Sequence, residues 1–259
     1  MDISLCLNTD ALIHYHSEAQ KIRVATEAWT GNHIFCPRCG GQIQHYKNNR
    51  PVADFYCAKC QEDFELKSKK NCIGRKITDG AYNTMIERIQ ATNNPHFYIL
   101  VYQNGYVRDF MLIPNYFFTN EIIECRRPLS AKARRAGWQG CNILIDKIPS
   151  SARIYYIHQG VFIPPQHVIQ QFTRTSFLKH TRSDMKGWLL DTMNIIDLIP
   201  NFSFSLQDVY RFEDKLKKKH PNNHYIKDKL RQQLQFLRDK GYIEFVSKGH
   251  YRKVNAGEH

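Results

Sequence analysis

Two pairs of cysteines constrain this chain more than any other feature. Cys36-Pro37-Arg38-Cys39 and Cys57-Ala58-Lys59-Cys60 are CxxC knuckles separated by 17 residues, inside the spacing window for a tetrahedral zinc site made of four thiolates. Each knuckle lets two thiolates grip one ion from a tight turn, and Gly40 and Gly41 permit the backbone conformations that close the first loop. A redox-active dithiol is the competing reading, but two knuckles at matched spacing favour zinc. Four thiolates leave no open coordination position, so such a zinc supports structure and performs no chemistry.

The other four cysteines, Cys6, Cys72, Cys125 and Cys141, stand alone and read as small buried apolar residues. The opening MDISLCLNTD has no basic segment followed by an apolar one, and runs such as Phe97 to Tyr102 are too short to span a bilayer. A soluble, cytoplasmic protein with no membrane partner is expected, its cysteines serving as thiols or metal ligands rather than disulfides. With 259 residues and 42% apolar content, the chain can bury one large core or two unequal ones. The net charge of +13 makes a polyanion the leading partner class, because clustered Lys and Arg displace counterions from phosphates.

A first helix is expected over Thr9 to Trp29, ending near Gly31, with Leu12, Ile13, Ile22 and Val24 as core contacts. Thr78 to Ala91 reads as a second helix, with Met85, Ile86 and Ile89 on one face and Asn93, Asn94 and Pro95 as its stop. Strands are expected at Phe97 to Tyr102, Tyr106 to Ile113 and Arg153 to His158, giving an α/β mixture. Between Glu121 and Ser183, ten Lys or Arg face three Asp or Glu, so phosphate contact is expected there. Beyond Arg182 to Lys186, helical patterns cover Gly187 to Ile199, Ser205 to His220 and Ile226 to Lys240. A hairpin of Tyr242 to Val246 and Tyr251 to Val254 follows, turning through Ser247 to His250. Three helices and a two-stranded wing describe a winged helix-turn-helix.

Around the second knuckle lies a different chemistry. If Phe64 to Lys67 is a strand, Glu65 and Lys67 share one face while Phe64 and Leu66 point into the core. With Asp54 added from a neighbouring strand, two carboxylates can hold Mg²⁺ while Lys67 orients or deprotonates a water attacking phosphorus. Asp, ten intervening residues and Glu-Leu-Lys match the active-site form of the PD-(D/E)xK nuclease superfamily, although Pro51 lies three residues before the aspartate instead of beside it. On its own this motif is weak, since alternating Glu and Lys on a strand is commonly a solvated face.

Longer strings carry more weight. NNRPVADFYC, FELKSKK, DGAY, ARRAGWQGCNI, YRFE, IKDKLRQQLQFLRDKGYIEF and YRK together resemble the DpnI-type restriction endonucleases of bacteria, which cut GATC only when its adenine is methylated. The resemblance spans nearly the whole chain, departing around Asn71 to Lys76 and at Asn255 to His259. It implies an α/β PD-(D/E)xK domain over 1–182, with a mixed sheet and an inserted four-cysteine zinc finger at about 36–60, then a winged-helix DNA-binding domain over 183–259. It further implies a monomer acting on double-stranded DNA with methylated adenine, with Asp54 and Glu65 as Mg²⁺ ligands, Lys67 as the catalytic lysine, and Cys36, Cys39, Cys57 and Cys60 as Zn²⁺ ligands.

A methyl group on adenine N6 adds bulk but no charge in the major groove, so an apolar or aromatic surface must sense it. Trp138, among Arg134, Arg135 and Gly140, is the candidate; a core tryptophan is the competing reading. The two arginines would contact phosphates or guanine. In the last helix Ile226, Leu230, Leu234 and Leu237 form one face, leaving Arg231, Gln232 and Gln235 outward for base edges. Lys248, His250 and Arg252 in the wing suit phosphates. Two other functions compete: a zinc and winged-helix reader or transcription regulator without chemistry, and an HNH nuclease, for which His33 and His45 lack a partner arrangement.

Overall fold

The computed structural model describes residues 4–8, 15, 17–46, 53–91 and 94–254, with the side chains of 183 and 184 left out. The chain divides into two units, one formed by the residues up to Ile148 with Ala152–Phe172, the other by Pro149–Ser151 and the residues from Thr173 onward.

In the first unit the run His96-Phe97-Tyr98-Ile99-Leu100-Val101 lacks polar alternation, the pattern of a strand covered on both faces. It forms most of strand β5 (His96–Gln103), and all six residues are buried. The main sheet has seven strands in the order β1 (Gln44–His45), β2 (Phe55–Tyr56), β3 (Asp63–Lys70), β5, β6 (Tyr106–Ile113), β9 (Ile154–His158), β10 (Val161–Phe162). Strands β3 and β5 run parallel from Phe64 opposite His96 to Lys70 opposite Tyr102, and the remaining pairs are antiparallel. The β5–β6 turn is Asn104-Gly105, with φ of 51° and 79°, the left-handed pair that a tight hairpin requires. A smaller antiparallel sheet has the order β4 (Lys76–Ala81), β8 (Gly140–Leu144), β7 (Ile123–Cys125).

Helix α1 (Glu18–His33) buries Ala25, Thr26, Trp29 and Thr30. Small side chains on this face allow close approach to β3, where the Ser68 hydroxyl donates to Thr26 Oγ1 at 2.8 Å. Ile22 and Val24, expected in the core, are only half-buried, because the helix turns Ala25, Thr26, Trp29 and Thr30 to the core instead. The expected start at Thr9, with Leu12 and Ile13, lies outside the described residues, as do Pro51 and Asn93.

Thr78 to Ala91 is not one helix. Lys76 to Ala81 forms β4 instead, with Ile77 buried between exposed Lys76 and Thr78, and α2 spans only Tyr82–Gln90. The partner of β4 is β8, more than fifty residues away, and local periodicity is blind to pairing at that range. Of the lone cysteines, Cys141 is buried as expected, but Cys6, Cys72 and Cys125 are exposed. Helix α3 (Pro165–Thr175) closes the series.

The second unit contains α4 (Ser183–Leu198), α5 (Leu206–Tyr210), α6 (Glu213–Lys219) and α7 (Ile226–Asp239). They are joined by a three-stranded antiparallel sheet ordered β11 (Ser203–Ser205), β13 (His250–Lys253), β12 (Ile243–Ser247). Ile226, Leu230, Leu234 and Leu237 are buried along α7 as their spacing requires. The single helix expected over Ser205 to His220 is two. Ser205 caps the first through a capping box with Asp208. The chain turns at Phe212, ψ 6°, and Glu213 and Asp214 then open a new helix that ends in Lys217, Lys218 and Lys219. Acid at its start and base at its end suit that helix's own dipole.

Candidate active site

The two knuckles fold alike. Gly40 N–H donates to Cys36 O at 2.9 Å and Gln61 N–H to Cys57 O at 2.8 Å, and both donors lie in the left-handed region, at φ 69° and 59°. The four sulfurs lie within 4.8 Å of one another, with Cys36 to Cys60 at 3.4 Å and Cys39 to Cys57 at 3.5 Å. Sulfurs each 2.3 Å from a central ion stand about 3.8 Å apart, so the cluster fits a tetrahedrally bound metal and has the form of a zinc finger. Gly41 keeps the space clear, since a Cβ there would meet Cys39 Sγ at 3.4 Å. Burial pushes the Cys36 and Cys60 thiols up, Cys60 to about 11. At Cys57 burial acts the same way but is outweighed by the Cys60 and Lys59 N–H groups and the Cys39 thiol, which pull it down.

Hydrogen bonds tie this cluster to the sheet. Glu62, just after the second knuckle, accepts from Arg38 of the first at 2.9 Å and pairs with His96 Nε2 at 3.1 Å. The Asn115 N–H donates to His96 Nδ1 at 2.9 Å, so Nδ1 is an acceptor and Nε2 carries the proton that Glu62 receives. The Tyr156 hydroxyl reaches Phe35 O at 3.0 Å.

Asp54, Glu65 and Lys67 line one cavity of about 820 Å³, together with Glu27, Ser68 and Tyr102. Asp54 directly precedes β2, its N–H donating to Phe64 O at 2.9 Å, and its Oδ2 accepts the Leu66 N–H at 2.7 Å. Burial holds the Asp54 carboxyl above the usual carboxylate range; Glu27 and Glu65 add to this, while the Leu66 N–H and Lys67 oppose it. On β3, Phe64 is fully buried. Leu66, expected to point into the core, is only partly buried and lines the cavity, because this end of β3 faces the open pocket. Glu65 pairs with Lys67 at 2.5 Å and with Arg88 of α2 at 2.8 Å. Lys67 also meets Asp79 of β4 at 2.6 Å. Burial works against the Lys67 charge, but Glu65 and Asp79 outweigh it and hold the ammonium above its ordinary value. Two neighbouring carboxylates, one made costly by burial, form the hard-oxygen donor set that suits a hard divalent cation.

Sequence reasoning named these three residues and missed Glu27, Asp79 and Arg88. The DGAY string held Asp79 but gave it no role, and no local signal marked Glu27 or Arg88.

Trp138 lies on the loop between β7 and β8, half-buried, its ring packed against Gly140 and covered by the Arg135 guanidinium at 4.5 Å. Arg134 and Arg135 are exposed. In the second unit Arg231, Gln232 and Gln235 project from α7 to solvent, with Arg231 Nε donating to Tyr210 Oη at 2.5 Å. Lys248 is exposed in the wing, and Arg252 is tied to Glu244 at 2.9 Å. Among the described residues no helix is long and apolar enough to cross a membrane.

A parallel β3–β5 pair in a central mixed sheet, a four-cysteine cluster of zinc-finger form, and a separate helical unit with a wing define the PD-(D/E)xK-like fold class with a winged helix-turn-helix module. The DpnI model, described as the Dam-replacing family, matches residues 3–181, and the Dam-replacing HTH domain matches residues 184–253. This chain belongs to the DpnI, Dam-replacing family, and that membership makes it a nuclease that binds DNA.

Proposed function

We propose that this protein is a methyl-directed type II restriction endonuclease, hydrolysing phosphodiester bonds of double-stranded DNA at GATC sites carrying N6-methyladenine. The convergence of Asp54, Glu65 and Lys67 on one cavity supports that chemistry. Asp54 and Glu65 would hold Mg²⁺, which when bound supplies positive charge at the scissile phosphate. The Leu66 N–H orients the Asp54 carboxylate. Lys67, kept as an ammonium by its two acidic neighbours, donates hydrogen bonds to the attacking water or the phosphate. Water adds its oxygen to phosphorus as the bond from phosphorus to the leaving sugar oxygen breaks; the water gives up one proton to solvent, and the leaving oxygen takes one up. Cys36, Cys39, Cys57 and Cys60 bind a structural Zn²⁺ that fixes the loop carrying Asp54.

Recognition is assigned to both domains, 1–182 and 183–259, acting in a cytoplasmic monomer. Trp138, stiffened by Arg135, offers an aromatic face to a methyl group, and Arg134 and Arg135 offer charge to the backbone or guanine. Arg231, Gln232 and Gln235 read base edges from α7, while Lys248 and Arg252 contact phosphates from the wing. Digestion of matched adenine-methylated and unmethylated plasmids, with and without Mg²⁺, tests the reading. Cleavage of the methylated plasmid alone, only with the metal and absent in Asp54→Ala, is the expected result. Tight site-specific binding without cleavage under any divalent metal would make the protein a methyl-DNA reader instead.

A further inference from the structure

Asp79 lies outside the Asp-Glu-x-Lys motif, yet its side chain is only 6% exposed and its Oδ1 stands 2.6 Å from Lys67 Nζ. The same oxygen accepts the Gly80 N–H at 2.7 Å, so the carboxylate is held locally before it meets the lysine. The β4–β8 register slips between Asp79, opposite Cys141, and Ala81, opposite Gly140. Such a bulge re-aims the side chain beside it. Asp79 Oδ2 is buried with no hydrogen-bond partner among the described residues. A buried acid so poorly satisfied is a weak source of stability, and its Lys67 contact calls for another explanation.

Lys67 has two acidic neighbours, Glu65 and Asp79, and the nuclease reading commits Glu65 to a cation. A carboxylate shared with a divalent ion attracts an ammonium less, and the ion itself repels it. Among the described residues, Asp79, carried by the other sheet, is then the carboxylate paired with Lys67 that is left to hold it in place. We propose that Asp79 is a positioning residue that anchors the Lys67 ammonium at the reacting centre once Glu65 engages the metal. The catalytic consequence rests on the nuclease reading; the anchoring does not.

The test is a double-mutant cycle on the full-length protein, joined to a readout that needs no cleavage. Asp79→Ala should lower kcat by about 10²-fold, the scale of a misplaced catalytic group, with KM and binding to methylated duplex unchanged. Asp79→Asn, which keeps the shape but removes the charge that holds the ammonium, should lose nearly as much. In a Lys67→Ala background, Asp79→Ala should cost nothing further; an equal loss in that background would overturn the proposal. The ¹⁵N signal of the Lys67 ammonium, assigned by its absence in Lys67→Arg, should persist in Glu65→Gln and vanish in Asp79→Ala or Asp79→Asn, whichever folds. Its persistence in a folded Asp79 variant would overturn the anchoring even if the wild type cuts DNA. A wild type inert with every divalent metal, but showing the expected signals, would overturn the nuclease reading and support the anchoring.

Discussion

The thiol cluster and the carboxylate–lysine cluster interleave in sequence, with Asp54 three residues before Cys57 and Glu65 five after Cys60, yet they are built in opposite ways. The thiols come from two short turns with the same hydrogen-bond pattern, so each half of the site is made by its own few residues. The acids and lysine come from the approach to β2, from β3 and from β4, with Arg88 of α2 as a further counter-charge. A local cluster concentrates folding energy in one ion, whereas a distributed one depends on the sheet being formed first. Loss of the first should therefore damage structure and chemistry together, and loss of the second chemistry alone.

The largest effect that could break this contrast is expected at Cys57. Structural zinc contributes on the order of 10 kcal/mol to folding in small zinc modules, so Cys57→Ser should release the metal, lower the melting temperature and abolish cleavage. Metal analysis alongside calorimetry checks it, and a stable, zinc-free, fully active variant would refute it. Next comes Asp54→Asn, for which cleavage should fall roughly a thousandfold, equivalent to several kcal/mol of lost charge stabilisation, while zinc content stays intact. Because burial raises the Asp54 pKa, the metal-free folded state takes up a proton more readily than the unfolded one. That contribution to stability is present at low pH and is lost as pH rises through the folded value. Removing Asp54 should flatten the acid side of the metal-free stability profile and leave the fold no weaker at neutral pH, as urea titrations across pH would show.

Glu62 tests the join between the clusters. Replacing it by Ala leaves Arg38 and the buried His96 N–H without their acceptor, at a cost of about 2 kcal/mol, or roughly 4–8 °C in melting temperature, with zinc retained. Smallest of all is the asymmetry of the two turns. Gln61 occupies at φ 59° the position that Gly40 fills at 69°, so Gln61→Gly should be neutral or stabilising, whereas Gly40→Ala should cost about 1 kcal/mol. Denaturant midpoints of the two variants would show whether the knuckles are interchangeable.

The cysteines, the Asp54–Glu65–Lys67 set and the α7 stripe were all readable because their patterns repeat over a few residues: CxxC, alternation along a strand, and apolar residues every third or fourth position along a helix. Misreadings arose where distant pairing decided the outcome. Thr78 carries residues compatible with a helix and became part of β4 because β8 supplies its hydrogen-bond partners. The solvent exposure of Cys6, Cys72 and Cys125 likewise depends on which side of a strand or loop faces solvent, which composition does not encode.

By itself the sequence determined the donor types and their spacing: four soft thiolates in one cluster, hard carboxylate oxygens with a lysine in the other. Only the tertiary structure decided that Lys67 stands between Glu65 and Asp79, that burial raises the Asp54 carboxyl above its ordinary range, and that Glu62 and His96 bind the thiol cluster to the sheet. The reason is physical: a coordination motif is a property of neighbouring residues, whereas burial and ion pairing arise from the fields of groups that meet only after strands distant in the chain have paired.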